Sequence, residues 1–103
     1  MKVAVIGAGA AGMLAAGHAG ELGHSVDIFE KNNIVGKKIR ITGKGRCNIT
    51  NASDCEEHIE NTPGNPYFMY SALYKFPPDK MIELVESLGV PTKVERGKRV
   101  FPV

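Results

Sequence analysis

The chain has 103 residues and a formal net charge of +2, with 43% hydrophobic and 23% charged residues. That balance fits one ordinary globular domain at most, and no run approaches the ~18 apolar residues that a membrane-spanning helix needs. A chain this short buries only about 60–65% of the surface that its unfolded form exposes, so its core is thin.

Residues 2–6 (Lys-Val-Ala-Val-Ile) form a nearly continuous apolar run, the pattern of a parallel strand buried on both faces. Residues 11–22 read as a helix, although Gly12, Gly17 and Gly20 each disfavour it by about 1 kcal/mol relative to alanine. Packing must therefore hold it. Gly12, Ala15, Ala16, Ala19 and Leu22 fall at helical spacing, a stripe of mainly small residues that lets a helix lie close on a sheet. Gly23 supplies the stop. Residues 25–30 (Ser-Val-Asp-Ile-Phe-Glu) read as a second strand, which makes residues 2–30 a β-α-β unit.

Residues 31–66 are loop-like, with single helical turns expected near 36–41 and 54–59. A helix is expected over 67–75, ended by Pro77 and Pro78, and another over 79–88, with an apolar stripe of Met81, Ile82, Val85 and Leu88 and a stop at Gly89. Residues 92–101 pattern as a β-hairpin around Arg96-Gly97. Only two parallel strands are expected, too few for a nucleotide-binding sheet. The α/β fold class therefore implies an incomplete domain, the N-terminal part of a longer protein. It divides into a βαβ unit (2–30), a glycine-rich basic loop (36–51), and a helical and hairpin part (67–102).

Gly7-x-Gly9-x-x-Gly12 directly follows the first strand and opens the helix, and Glu30 ends the second strand 18 residues after Gly12. That is the full context of a dinucleotide-binding fingerprint. Gly7 permits the tight turn, Gly9 lets the backbone approach a pyrophosphate, and Gly12 allows close helix–strand packing. The helix N-terminus at Ala10 and Ala11 offers unpaired N–H groups and partial positive charge to the diphosphate. Glu30 can accept hydrogen bonds from the adenosine ribose and repels a 2′-phosphate, with Lys31 beside it. These residues alone leave FAD and NAD both open.

The second loop carries Lys37, Lys38, Arg40, Lys44 and Arg46 and no acid between them. By itself such a run is a solvated face. Beside the fingerprint, with Gly43 and Gly45 able to turn backbone N–H groups inward as an anion-binding nest, it reads as part of the phosphate site.

The βαβ unit at the very start of the chain, followed by an alanine-rich helix, resembles the FAD domain of the glutathione-reductase-like flavoproteins. The string Gly36-Lys37-Lys38-Ile39-Arg40-Ile41-Thr42-Gly43-Lys44-Gly45-Arg46-Cys47-Asn48-Ile49-Thr50-Asn51 resembles the signature of a bacterial NAD(P)/FAD-dependent oxidoreductase family. That family is often called aminoacetone-oxidase-like, and some members are described as reductases of unsaturated oxo bile acids. The stretches Phe68 to Phe76, 87–91 and Glu95 to Pro102 resemble it too. The resemblance spans the whole chain but only about the first quarter of the family's usual length. It implies FAD as cofactor, with NAD(P)H as electron donor elsewhere in the longer protein. It also implies that the Lys38 region and Arg46 contact the dinucleotide while Cys47 and Asn48 approach the flavin ring.

Some related flavoproteins carry a catalytic disulfide in the corresponding loop, but Cys47 and Cys55 lie eight positions apart, which departs from that pattern. Cys47 is read as a small packing residue. The two cysteines make neither a disulfide framework nor a CxxC zinc pair, and no metal site is expected. His18, His24 and His58 have no ligand company, and Tyr67, Tyr70 and Tyr74 are read as core or interdomain packing. No general acid or base stands out, so the catalytic residues and substrate are unassigned. No leader segment is evident, and a cytoplasmic protein with a small-molecule cofactor, without nucleic-acid or membrane partners, is expected. Two alternatives stand beside the flavin reading: an NAD-binding Rossmann dehydrogenase fragment, and a non-catalytic anion- or nucleic-acid-binding module. The second lacks aromatics among the basic residues and leaves Glu30 unexplained.

Overall fold

The computed structural model describes Met1–Val103 and separates into two compact units, Met1–Gly45 and Arg46–Val103. In the first unit, β1 (Lys2–Ile6) and β2 (Ser25–Phe29) pair in parallel, with Lys2 opposite Ser25 and Ile6 opposite Phe29. Helix α1 (Ala10–Glu21) makes the crossover and packs on both strands. Strand side chains alternate between faces, so Val3 and Val5 lie together, half-buried on the face toward α1.

The other face is open. Ala4 is exposed, Ile6 is 81% exposed and Phe29 57%. This corrects the expectation of a strand buried on both faces: the apolar run is present, but no element of this unit covers its second side. The small-residue stripe is also narrower than its spacing suggests. Ala16 is buried and Gly12 and Ala19 are half-buried, whereas Ala15 and Leu22 face solvent.

The close approach of α1 to the first loop rests on one position. A Cβ built on Gly12 would collide with the carbonyl oxygen of Gly7 and stand 3.4 Å from Val5 Cγ1. Helix α2 (Lys37–Gly45) is helical only in its first part. Thr42 turns extended (φ −67°, ψ 156°), then Gly43 and Lys44 both adopt left-handed backbone. The basic loop therefore begins as a helical turn, as expected for 36–41. Its glycines sit in a left-handed turn, with Gly43 at φ 58° and Gly45 at φ 85°.

In the second unit, β4 (Thr92–Glu95) and β5 (Arg99–Pro102) form the expected hairpin through Arg96–Lys98. A short strand, β3 (Thr50–Asn51), pairs with the other side of β5 and gives the order β3-β5-β4. Two residues carry no readable periodicity, which is why the sequence does not announce it. Val100 and Phe101 of the central strand are fully buried and form the core of this unit.

Helix α3 (Cys55–Glu60) starts at Asp54, whose carboxylate accepts the Glu57 N–H at 2.8 Å, an ordinary N-cap. The helix expected over 67–75 is divided: a 3-10 turn at Pro66–Met69 precedes α4 (Tyr70–Lys75). Pro66 sits at the start of that turn, where its missing N–H is tolerated. Tyr67, Tyr70 and Tyr74 lie outside the core, at 76%, 50% and 46% exposure, and Tyr70 stacks on Tyr74. Helix α5 (Pro78–Ser87) begins with Pro78 in its first turn and packs on β3 and β4. Met81, Ile82 and Val85 are half-buried, but Leu88 is exposed.

Gly12→Ala should destabilise the protein by about 1–3 kcal/mol, the cost of forcing a methyl group into a filled contact. Thermal unfolding followed by circular dichroism checks this, and an unchanged midpoint would show that helix and loop have room to separate.

Candidate dinucleotide site

Residues 7–12 shape the mouth of the first unit. Gly7 has φ +97°, backbone that a β-branched or bulky residue would resist, and its N–H donates to the Phe29 carbonyl at 2.8 Å. The turn is thus tied to the end of β2 as the chain leaves β1. Gly9 caps α1 with extended backbone and no side-chain hydrogen bond, and the first turn of α1 contains no acidic residue. The N–H groups at the start of a helix have no partner within it, so those of Ala10, Ala11 and Gly12 face outward with the positive end of the helix dipole. A Cβ on Gly9 would meet nothing within 4 Å. This opening is uncapped, and the helix itself brings no carboxylate to it, which suits an anionic group.

Ala8 is the centre of the arrangement. It is 1% exposed, and both its backbone polar groups are engaged. Its N–H donates to Glu30 Oε1 at 2.9 Å, and its carbonyl accepts the Gly36 N–H at 2.8 Å. Glu30 also accepts the Asn32 N–H at 2.8 Å. Gly36 is buried, and its carbonyl accepts the Arg40 N–H at 3.1 Å, which starts α2. One buried residue therefore joins the glycine loop, the end of β2 and the start of α2. Glu30 and Gly36 both bond to the glycine turn, and Lys31, Lys37 and Lys38, which follow them in the chain, are exposed.

Glu30 thus has a structural role that its position in the motif does not reveal. Hydrogen bonds from the backbone of Asn32 and then Ala8 hold its carboxyl below the usual carboxylate range. A carboxylate offers about four acceptor positions, so two protein donors leave capacity for ribose hydroxyls.

Of the other candidate residues in the basic loop, Gly45 closes the first unit, whereas Arg46, Cys47 and Asn48 belong to the second. The Arg46 guanidinium donates to both Glu95 oxygens at 3.0 and 3.1 Å and lies 4.2 Å from the centre of the Phe101 ring. Lys93 lies 3.0 Å from the same carboxylate. These two cations, Lys93 first, lower the Glu95 pKa. Cys47 has φ +63° and is half-buried, and Asn48 is exposed. The Arg46 head group is held within its own unit by Glu95 and Phe101. Nothing in the spacing of Glu95 from Arg46 signals this pair, because the hairpin brings them together across 49 positions.

A polar groove of about 490 Å³ lies elsewhere in the second unit, beside α3 and the hairpin loop. Its prominent groups are already paired: Ser53 Oγ with His58 Nδ1 at 2.6 Å, and Lys98 with Glu57 at 2.9 Å. Both cysteines are free thiols, and no three His, Cys, Asp or Glu side chains gather closely enough to hold a metal ion. No helix is long and apolar enough to cross a membrane.

Residues 1–103 match the family described as "HI0933-like protein Rossmann domain". The chain belongs to this family of flavoprotein oxidoreductases. It is 38% identical over 86 residues to a protein of Haemophilus influenzae named "Ribosomal RNA dihydrouridine synthase", covering 84% of this chain and 21% of that one. The Escherichia coli protein of the same name is 40% identical over 91 residues, with the same coverages of 84% and 21%. A "3-dehydro-bile acid delta(4,6)-reductase" of Clostridium scindens is 37% identical over 105 residues, covering 98% of this chain and 24% of that protein. The chain thus spans about a fifth to a quarter of the curated relatives it matches. The family is one of Rossmann-type flavoenzymes, as the resemblance implied.

Both lowered carboxylates make acid stability testable. A folded-state pKa below the unfolded value contributes stability that is complete above the unfolded value and is lost as pH falls through the folded one. Glu30 and Glu95 should therefore sustain stability above the ordinary carboxylate value of 4.5 and release it progressively below. Melting temperature against pH for the wild type, Glu30→Gln and Glu95→Gln checks this. Each variant should fall less steeply than the wild type below that value, and parallel curves would remove the linkage.

Proposed function

We propose that this chain is the N-terminal FAD-binding segment of a longer, cytoplasmic flavin-dependent oxidoreductase, holding the ADP part of the cofactor. The observation that carries this reading is the junction at Ala8, which joins an uncapped helix N-terminus, a strand-end carboxylate and the start of a second, lysine-bearing helix. The N–H groups of Ala10, Ala11 and Gly12 bind the diphosphate beside Gly7 and Gly9. The free acceptor positions of Glu30 take the adenosine ribose. Lys31, Lys37 and Lys38 screen the phosphate charge from Gly36 onward, and Gly45 leads into Arg46, Cys47 and Asn48, which form the flavin-proximal segment. Bound flavin supplies hydride transfer, and this chain's residues bind and orient it.

The relatives' names support a reaction class without choosing a substrate. A dihydrouridine synthase and a delta(4,6)-reductase both add hydrogen across a carbon–carbon double bond. We infer the same class of reaction here, with NAD(P)H as electron donor and the substrate bound outside residues 1–103. The NAD-dependent dehydrogenase remains the competing reading, and it predicts a colourless protein.

The absorption spectrum of the purified full-length protein tests the proposal. A flavin spectrum in the wild type and its loss in Gly9→Val are expected, because the valine side chain would fill the open approach to the backbone. A Gly9→Val protein that keeps stoichiometric FAD would overturn the phosphate assignment.

Residues 1–103 alone should bind FAD weakly, because two parallel strands leave the nucleotide crevice unfinished. Titration at about 0.15 M salt should give only weak, salt-sensitive association. A tight, saturable complex with a monomeric 103-residue chain would show that the site is complete without further strands.

A further inference from the structure

We propose that Glu95, acting through the Arg46 guanidinium, is a positioning residue that holds Cys47 and Asn48 in their binding conformation. This rests on the flavin-binding reading of the segment.

The segment is anchored on both sides. Before Cys47, the Arg46 side chain is fixed by Glu95 and lies over the buried Phe101 ring. After Asn48, the Ile49 N–H donates to the Val100 carbonyl at 2.9 Å, and Thr50 and Asn51 pair with β5. The Asn51 side chain donates to Gly97 O at 2.9 Å, and the Ala52 N–H donates to Lys98 O at 2.8 Å. All these partners lie on the 95–101 stretch of the hairpin. Cys47 and Asn48 are the two residues spanning the anchors, and Cys47 adopts left-handed backbone at φ +63°.

A non-glycine residue avoids that region unless its surroundings over-determine it. The downstream anchor is made of backbone bonds that do not depend on side-chain identity, apart from Asn51. The upstream anchor is one ion pair and one cation–π contact. Arginine suits both at once, since its planar group can accept an aromatic face while its edge donates to a carboxylate. Glu95 is only partly exposed, with a side-chain accessibility of 26%, and Lys93 holds it in the charged form. The hairpin is thus a template against which the loop backbone is set, and Glu95 is the group that fastens its upstream end.

The test uses the full-length protein in three backgrounds: wild type, Glu95→Ala and Cys47→Gly, with the double variant closing the cycle. Two quantities are read. One is the rate at which N-ethylmaleimide labels Cys47 in flavin-free protein, followed on its own peptide by mass spectrometry. The other is the FAD dissociation constant. Glu95→Ala should raise the labelling rate about tenfold and weaken FAD about tenfold, the scale of one lost charged hydrogen bond. In the Cys47→Gly background the same substitution should weaken FAD much less, because glycine holds positive φ without help.

A general loss of stability predicts the opposite, since Cys47→Gly would then only add to it. Glu95→Gln carries the same measurements if Glu95→Ala does not fold. An unchanged labelling rate, or losses in affinity that simply add, would overturn the proposal. Faster labelling with unchanged FAD affinity would keep Glu95 as the anchor of the loop and overturn the flavin role of Cys47 and Asn48.

Discussion

The two hydrogen bonds of Ala8 set the geometry on which the first unit depends. A buried backbone N–H and C=O each require a partner, and here the partners come from Glu30 and Gly36. The first bond ties the glycine turn to the end of β2. The second sets where α2 begins. Because Ala8 is nearly inaccessible, water cannot replace either partner easily. The glycine turn that leads into the helix N-terminus, the carboxylate and the start of α2 are joined by this one residue.

The same economy explains why Glu30 has two kinds of role. It accepts backbone donors of the loop, and in the proposed site its remaining acceptor positions take the ribose. A carboxylate that must hold two backbone N–H groups is oriented before any ligand arrives, which reduces the ordering cost of binding. The acid linkage of Glu30 and its place beside the ligand site share this origin.

The two units solve the problem of a small core differently. In the first, a two-stranded sheet has a helix on one face and leaves Ile6 and Phe29 exposed on the other. In the second, three short antiparallel strands centre on Val100 and Phe101, and the only close partner that Phe101 offers to charge is arginine: Arg46 at 4.2 Å and Arg99 at 5.6 Å. An aromatic ring can be covered by a guanidinium without leaving that group undersolvated, provided its edge finds an acceptor. Glu95 is that acceptor for Arg46.

Local pattern was enough for β1, α1, β2, α5 and the hairpin, because apolar periodicity, glycine stops and proline starts act over neighbouring residues. The tight turn at Gly7 and the close approach at Gly12 were likewise legible, since each follows from residue type and separation along the chain. What the chain order could not reveal were contacts made through backbone or between distant residues. Ala8 occupies a position where its contribution is an N–H and a C=O, which every residue but proline possesses. Strand β3 is two residues long, so it has no period to read, and its existence depends on the free edge of β5. The pairing of Arg46 with Glu95 and Phe101 joins residues 49 or more positions apart, which the hairpin alone brings together. Tertiary structure decided these points because a hydrogen bond or a stacked ring depends on distance in space, and only folding sets that distance for residues far apart in sequence.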